Sequence, residues 1–334
     1  MIVSKVPKLI FRILLLFIPF VLLNIIYTNS ATWKNKYGMN KYDFIPENIE
    51  IANLGSSHGF HSFDYSIEGF SNKTCFNFAI GQQSLDFDWG IFKQYVNRFK
   101  EGSTLIICLS PFETDGIPDY KANKDSQFRY YGILEKQNFD TFSRQDWFFF
   151  NYLALVTSKH PVRDIRDSIA EYLTSNKTSS TSLEDFSQPT VFFDDKNYEK
   201  VPLEERLRQA NEIVDFWTNI FPPDAKGKEH NLGYLDKIIS LGREHNINTV
   251  VVTTPVSREV YYVLKTRNTY YDLDKFYREL IEKYPETKFL NYIDLFFGKD
   301  RLFRDNNHLS PEGAIEFSKI IQSDIIGFGF INQE

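Results

Sequence analysis

A serine in a glycine-flanked turn is the first feature of this 334-residue sequence that could do chemistry. The run "IANLGSSHGFHS" at 51–62 places Ser57 shortly after an apolar, strand-like segment. A serine hydroxyl is a weak nucleophile at neutral pH unless a general base removes its proton and a third group orients that base. Serine and glycine are also common in turns, so the run is meaningful only if the chain supplies a base elsewhere.

Such a base lies near the other end of the chain, in the run "FRDNNHLSPEGA" at 303–314. Asp305 and His308 are three residues apart, so in a short loop both side chains can face the same way. Asp305 could then accept a hydrogen bond from one imidazole nitrogen while the other nitrogen faces a serine hydroxyl. Ser310 and Pro311 predict the N-cap and first residue of a helix directly after this loop. The sequence therefore predicts a catalytic triad of Ser57, His308 and Asp305.

Other residue types restrict the chemistry further. His58 and His61 follow Ser57 closely and suggest a second base or a metal site, but no cluster of carboxylates or cysteines accompanies them. We therefore expect them to line the pocket or to be structural, and we expect neither a metal nor a cofactor. The formal charge of −6 argues against a nucleic-acid partner, which usually requires a basic face.

The body of the chain alternates between strand-like and helix-like segments. Short apolar or β-branched runs predict strands at 49–54, 74–80, 103–109, 249–256 and 288–294. Amphipathic patterns predict helices at 85–99, 204–220, 234–245, 273–284 and 311–325. Such alternation indicates an α/β fold in which helices cover both faces of a parallel sheet.

One connection is much longer than a single crossover needs. About 135 residues separate the third and fourth predicted strands, and we interpret residues 115–230, approximately, as an insertion in the domain. Within it, "DWFFFNYLALV" at 146–156 is either an ordinary core helix or an apolar surface facing the membrane or a membrane partner.

The N-terminus indicates attachment to a membrane. Residues 9–27 are long and apolar enough to cross a bilayer, and the basic residues in front of them predict a cytoplasmic segment at 1–8. A cleaved signal peptide and a buried core helix are the alternatives, although Asn29-Ser30-Ala31 is a poor cleavage site. We expect a signal-anchor at 9–27, a linker at 28–47 and an extracytoplasmic domain at 48–330.

These motifs together resemble those of the SGNH/GDSL hydrolase-like superfamily. The resemblance depends on Gly55-Ser56-Ser57 after the first strand, on Asp305-x-x-His308-Leu309, and more weakly on "NFAIGQQS" at 77–84. An α/β-hydrolase fits less well, because its nucleophile follows several strands and its acid and histidine usually occupy different loops. The resemblance implies a flavodoxin-like three-layer sandwich with a five-stranded, mostly parallel sheet of order 2-1-3-4-5. It also implies that the backbone N–H groups of Ser57 and Gly81 contribute to an oxyanion hole.

Within the superfamily the chain looks most like the membrane-anchored branch that includes DltD and the AlgX/AlgJ-like acetyltransferases. The N-terminal anchor, Ser56 in place of the usual aspartate and the long insertion suggest this branch. The resemblance implies acyl transfer through a Ser57 acyl-enzyme to a cell-envelope glycan or teichoic acid, beside a multipass membrane-bound O-acyltransferase. A stand-alone secreted esterase is an alternative.

The sequence departs from the superfamily at the third oxyanion donor. An asparagine is expected after the third strand, but the chain reads "CLSPFETD" at 108–115. Ser110, or Asn77 from the second loop, are the candidates to replace it. The missing asparagine leaves a second hypothesis open, in which the chain is a non-catalytic accessory that binds an acyltransferase or a polymer.

Overall fold

The computed structural model describes residues 6–36, 39–121, 127–158, 160–174 and 198–331. These residues form two compact units. A helical unit contains the described residues within 1–44, 127–136 and 141–181, and a sheet unit contains those within 45–126, 137–140 and 182–334. The predicted boundaries of the anchor, linker and domain stay predictions, as does the insertion at about 115–230, part of which lies outside the described residues.

The sheet unit is built on five parallel strands in the order β2-β1-β3-β4-β5. This confirms the predicted α/β class and the sheet order that the resemblance implied. The strands are β1 (Ile49–Gly55), β2 (Cys75–Asn77), β3 (Phe99–Leu109), β4 (Asn248–Thr253) and β5 (Lys288–Asn291). The helices, in chain order through both units, are α1 (Val6–Thr28), α2 (Ala31–Lys36), α3 (Ser57–Ser62), α4 (Leu85–Tyr95), α5 (Arg144–Tyr152), α6 (Ala154–Thr157), α7 (Pro161–Thr174), α8 (Leu203–Ile220), α9 (Gly227–Glu244), α10 (Arg258–Arg267), α11 (Leu273–Lys283) and α12 (Pro311–Gly327).

The central strands are apolar on both faces because helices cover the sheet from both sides. Ile51 and Leu54 of β1 and Val250–Val252 of β4 are completely buried. Helices occur wherever the amphipathic patterns predicted them, and α12 begins at Pro311 with Ser310 as its N-cap, as predicted. The Ser310 hydroxyl accepts a hydrogen bond from the Gly313 N–H at 3.1 Å.

Two differences from the predicted elements have local causes. Strand β2 ends at Asn77, and not at residue 80, although the N–H groups of Phe78 and Ile80 still donate to carbonyl groups at the end of β1. The Asn77 side chain accepts from the Ala79 N–H at 2.9 Å and turns the chain out of the regular ladder. Helix α10 was not predicted; the Ser257 side chain caps it by accepting a hydrogen bond from the Val260 N–H.

The sheet order places a topological switch point between β1 and β3. From β1 the chain passes to β2 on one side, and then returns across to β3 on the other side. The loops that leave the carboxyl ends of β1 and β3 therefore diverge, and ligands of α/β proteins commonly bind at such a point. Ser57 follows β1 and Ser110 follows β3, so both lie at this end of the sheet.

Gly55 at the end of β1 has a conformation that only glycine accepts readily. Its φ is +125°, and it pairs with Cys108 of β3 in the sheet. A Cβ at residue 55 would lie 2.7 Å from the Cys108 carbonyl oxygen and 2.8 Å from its Cβ. The close approach of these two strands therefore requires glycine at this position.

The helical unit packs α1 against α5, α6 and α7 through polar contacts. Asn24 of α1 donates to the Asn151 carbonyl at 3.2 Å and accepts from the Leu155 N–H at 3.1 Å. The Tyr27 hydroxyl donates to Asp164 of α7 at 2.9 Å. In the described part of the chain, no helix is both long enough and apolar enough to span a membrane. The predicted span at 9–27 stays a prediction.

We predict that Gly55→Ala destabilises the sheet unit strongly. Backbone strain at positive φ and the clash with Cys108 each cost about 1–3 kcal/mol, so the free energy of unfolding falls by roughly 2–6 kcal/mol. The measurement is urea unfolding monitored by circular dichroism. Gly102→Ala is the matched control, because Gly102 also has positive φ but a Cβ at residue 102 would meet nothing within 4 Å. Equal losses in both variants would show that the contact with Cys108 contributes nothing.

Candidate active site

The predicted nucleophile is the first residue of the short helix that follows β1. Ser57 begins α3 and is partly exposed, whereas Ser56 before it is buried and caps the helix. The Ser56 hydroxyl accepts a hydrogen bond from the His58 N–H at 3.4 Å. The turn therefore presents Ser57 at the carboxyl end of β1, beside the switch point of the sheet.

The structure joins the predicted acid and base in one closed loop. Asp305 accepts from His308 Nδ1, with Oδ2 at 2.9 Å and Oδ1 at 3.1 Å. Its Oδ1 also accepts from the N–H groups of Asn307 at 3.0 Å and His308 at 2.8 Å. The Arg304 N–H closes the loop by donating to the His308 carbonyl at 3.1 Å. These bonds fix the imidazole in the tautomer that leaves Nε2 as an acceptor.

The charge on Asp305 is stabilised within this loop. Burial would raise the pKa of the carboxyl, but the attraction to His308 and the hydrogen bonds from His308 and Asn307 hold it well below its usual range. Asp305 is therefore ionised at neutral pH. An ionised carboxylate orients the imidazole and can stabilise the positive charge that His308 acquires when it takes a proton.

The Asp305–His308 loop lies against α3, the helix that begins with Ser57. The His308 ring centre is 5.0 Å from that of His61 and 5.6 Å from that of His58, both on α3. His308 Nε2 is contacted by Asn307 Nδ2 at 3.2 Å, and among the described residues no hydrogen bond joins it to Ser57. The structure thus brings the three predicted residues into one region, with Asn307 occupying the position on Nε2 that a serine hydroxyl would take.

Gly81 lies beside the nucleophile. A Cβ added to Gly81 would be 3.9 Å from the Cβ of Ser57, and Gln82 after it has a left-handed backbone with φ of +60°. The turn of Gly81 and Gln82 therefore passes directly over the start of α3. This position is compatible with the role in an oxyanion hole that the resemblance implied for the Gly81 N–H.

A buried carboxyl that the sequence analysis missed connects the two turns. Asp88 of α4 accepts from the Gly55 N–H at 2.9 Å and from Gln83 Nε2 at 2.5 Å. Burial raises the pKa of Asp88, and the pKa of the neighbouring buried Glu113 is raised by burial and by the charge of Asp88. Asp88 thus holds the turn of the nucleophile and the turn of Gly81 in a fixed relation.

The two candidates for the third oxyanion donor are both engaged elsewhere. Asn77 Nδ2 donates to the carbonyl groups of Gly59 and Phe60, at 3.3 Å each. These hydrogen bonds connect the end of β2 to α3. Ser110 is completely buried, and its hydroxyl lies 2.5 Å from Ser56 Oγ and 3.0 Å from His58 Nδ1. In this structure the hydrogen-bonding groups of both side chains are engaged within the protein.

The two histidines of α3 are buried beside the base. Burial lowers the pKa of His58 to about 3, and the charges of His308 and Asp305 have smaller, opposing effects. Burial, His308 and Arg304 lower the pKa of His61 to about 2. Both rings are therefore neutral at pH 7. Among the described residues, no group of three or more His, Cys, Asp or Glu side chains could hold a metal ion.

Comparison with known proteins adds little to this geometry. No protein-family model and no curated protein matches the chain. The chain is similar to a solved structure described as "a putative platelet activating factor from Streptococcus pneumonia". The TM-score is 0.38 and the identity 12%, over 94% of this chain and 98% of that chain.

We predict that His58 and His61 each lower the stability of the sheet unit as the pH falls from 7 to 5, whereas the raised pKa values of Asp88 and Glu113 act in the opposite direction. His58 and His61 have folded pKa values far below the value of about 6.5 in an unfolded chain, so the unfolded state binds more protons below that pH. Each histidine then costs about 2 kcal/mol at pH 5 relative to pH 7. Urea unfolding of the protein and of His61→Gln at the two pH values measures this. Between pH 7 and pH 5 the free energy of unfolding of the variant should change by about 2 kcal/mol in the stabilising direction relative to that of wild type, and identical changes in both proteins would contradict the assignment.

Proposed function

We propose that the chain is a serine acyl-transfer enzyme with Ser57 as nucleophile, His308 as general base and Asp305 as the residue that orients it. The observation that carries the proposal is the contact between the Asp305–His308 loop and α3, the helix that begins with Ser57. A base oriented by a partly buried, ionised carboxylate beside a turn serine is the arrangement that activates a hydroxyl.

The proposed reaction proceeds in two steps, acylation and then deacylation of Ser57. Ser57 Oγ attacks the carbonyl carbon of an ester, and its proton passes to His308. The tetrahedral intermediate collapses, the bond to the leaving oxygen breaks, and His308 returns the proton to that oxygen. The result is an ester on Ser57. The hydroxyl group of the acceptor then attacks this ester, and His308 takes its proton. The second tetrahedral intermediate collapses, the bond to Ser57 Oγ breaks, and His308 returns the proton to that oxygen. The acyl group is thereby released from Ser57.

We further propose a cell-envelope polymer, a glycan or a teichoic acid, as the acceptor of the acyl group. The support is the resemblance of the Gly55-Ser56-Ser57 and Asp305-x-x-His308 motifs to the membrane-anchored SGNH branch. A multipass membrane-bound O-acyltransferase is the partner that this proposal implies. If water reaches the acyl-enzyme before the polymer does, the same site acts as an esterase.

We propose that the helical unit attaches the protein to the membrane, with the catalytic domain outside the cytoplasm. The support is an apolar surface on the helical unit. On α1, Leu15, Phe17, Ile18, Leu22 and Ile25 are about half exposed. On α5, Trp147, Phe148 and Tyr152 are 39–49% exposed, and only Phe150 is buried. Exposed apolar side chains on this scale indicate contact with a lipid or protein surface.

One observation favours the second hypothesis, a non-catalytic accessory. Asn307 Nδ2 contacts His308 Nε2, so the base and the nucleophile are not hydrogen-bonded to each other in this structure. An accessory would bind an acyltransferase or a polymer and would not need that bond. The two hypotheses differ in whether Ser57 reacts.

We predict that a fluorophosphonate probe labels the full chain at Ser57. Ser57→Ala should abolish labelling, because the attacking oxygen is gone. His308→Asn should slow it by about 10²–10⁴-fold, the usual contribution of a general base. Ser66→Ala is the control, because Ser66 is exposed and bonded to Asp64 outside the site. Equal labelling of wild type and Ser57→Ala, or no labelling of either, would support the accessory hypothesis.

We predict that α5 contacts lipid when the full chain is reconstituted in bilayers. Trp147 fluorescence should be quenched by phosphatidylcholine brominated on its acyl chains, because its side chain is exposed on an apolar surface. Trp147→Phe should remove most of the quenching, whereas Trp89→Phe, in the sheet unit, should leave it unchanged. Unchanged quenching in Trp147→Phe would contradict a lipid contact of α5.

A further inference from the structure

The oxyanion hole of the proposed enzyme lacks a third hydrogen-bond donor, the one that an asparagine after β3 would supply. The predicted backbone donors are the N–H groups of Ser57 and Gly81, and the side chains of Ser110 and Asn77 are engaged in other hydrogen bonds. Loss of one such donor costs about 10²–10³-fold in rate in a well-studied serine protease. The proposed enzyme therefore needs a further N–H group directed into the site.

Two serine hydroxyls lie on the Nδ1 side of the His58 ring. Ser56 Oγ accepts from the His58 backbone N–H and lies 2.5 Å from Ser110 Oγ, which lies 3.0 Å from His58 Nδ1. Every hydroxyl proton has an acceptor if Ser56 donates to Ser110 and Ser110 donates to Nδ1. In that direction Nδ1 is an acceptor, and the proton of the neutral ring lies on Nε2. The opposite direction, with the proton on Nδ1, requires Ser110 to donate to the neighbouring Glu113.

The resulting Nε2–H has no partner. His58 is only 1% exposed, and its Nε2 forms no hydrogen bond among the described residues. Buried polar groups in native proteins almost always have a partner, and an unpaired one costs about 1–3 kcal/mol. An unpaired group of this kind beside the Asp305–His308 pair is a position that a ligand can complete.

The ring of His58 lies beside His308 and two aromatic side chains. The residue directly follows Ser57, and its ring lies 5.6 Å from the ring of His308. On other sides, Trp217 of α8 and Phe112 pack against it with ring centres at 5.5 and 6.3 Å. These aromatic walls lower the local dielectric, so a hydrogen bond formed there is stronger than in water.

We propose that His58 is a further catalytic residue, whose Nε2–H donates to the acyl carbonyl oxygen of the substrate as the third oxyanion donor. The inference rests on the proposed function, since it needs a Ser57 acyl transfer to assist. In this role His58 takes no proton and forms no covalent bond. It replaces the asparagine that the sequence lacks after β3, and the network of Ser56 and Ser110 positions its ring.

The test compares three substitutions that separate the two ring nitrogens. His58→Gln keeps a donor near the position of Nε2, His58→Asn keeps a polar group only near Nδ1, and His58→Phe keeps the ring without donors. The full chain is assayed with a 4-nitrophenyl ester and with its thionoester, in which sulfur replaces the carbonyl oxygen and accepts hydrogen bonds poorly.

We expect His58→Asn and His58→Phe to lower kcat/KM for the oxoester by about 10²–10³-fold. The rate of the thionoester should change little, so the preference for the oxoester should fall by a similar factor. His58→Gln should restore the oxoester rate to within about tenfold of wild type. The pH profile, which reports the base His308, should keep its midpoint in all three variants.

Several outcomes would overturn the inference. If both esters slow equally in His58→Phe and His58→Asn, the residue is structural. A shifted pH midpoint would make it a second base, and oxoester rates within threefold of wild type would leave it no role. In these cases wild type still shows activity that Ser57→Ala loses, so the proposed function stands. If wild type and Ser57→Ala are equally inactive, the proposed function itself fails, and the inference fails with it.

Discussion

At the end of β1 the backbone of Gly55 approaches β3 so closely that any side chain at residue 55 would collide with the Cys108 carbonyl group. The same residue donates its N–H to Asp88, which also accepts from Gln83. Through these contacts one backbone position determines where Ser57 begins its helix and where the turn of Gly81 passes over it. The remaining groups of the site, including the Asp305–His308 loop, are packed against a helix whose start is fixed in this way.

This arrangement needs buried polar groups, and their protonation states explain how they are tolerated. An isolated charge in the interior is expensive, so buried groups lose their charge or find partners. Burial keeps His58 and His61 neutral, and it raises the pKa of Asp88 and of Glu113. Because these two carboxyl groups are close together, one negative charge on the pair costs less free energy than two. Asp305 keeps its charge because hydrogen bonds and His308 stabilise it. The site therefore concentrates its charge at Asp305, the acid of the proposed triad.

The sequence predicted the parts of this site that depend on local spacing or on the order of the elements. Asp305 and His308 form their pair within four residues, and the capping residue Ser310 acts at its own helix. The sheet order came from the resemblance, and the pairing of the strands confirmed it. Asp88 was missed because an acid in the first turn of a helix is ordinarily a solvated group that favours the helix dipole. Its burial depends on Gly55 and Gln83, which no periodic pattern connects to it.

The network around His58 could not be found from sequence for a related reason. His58 is adjacent to Ser57 in the chain, but the tautomer of its ring depends on Ser110, which is 52 residues away and reaches it only through the pairing of β1 with β3. The sequence identified the serine at residue 56 as a departure from the usual aspartate and the serine at residue 110 as a departure from the usual sequence after the third strand. In the structure these two serines bond to each other and to His58. An aspartate at residue 56 would place a charge beside Ser110 and Nδ1 and would favour a proton on Nδ1, which leaves Nε2 without one. The two departures are therefore physically coupled, and together they allow a histidine to present an N–H group beside the nucleophile.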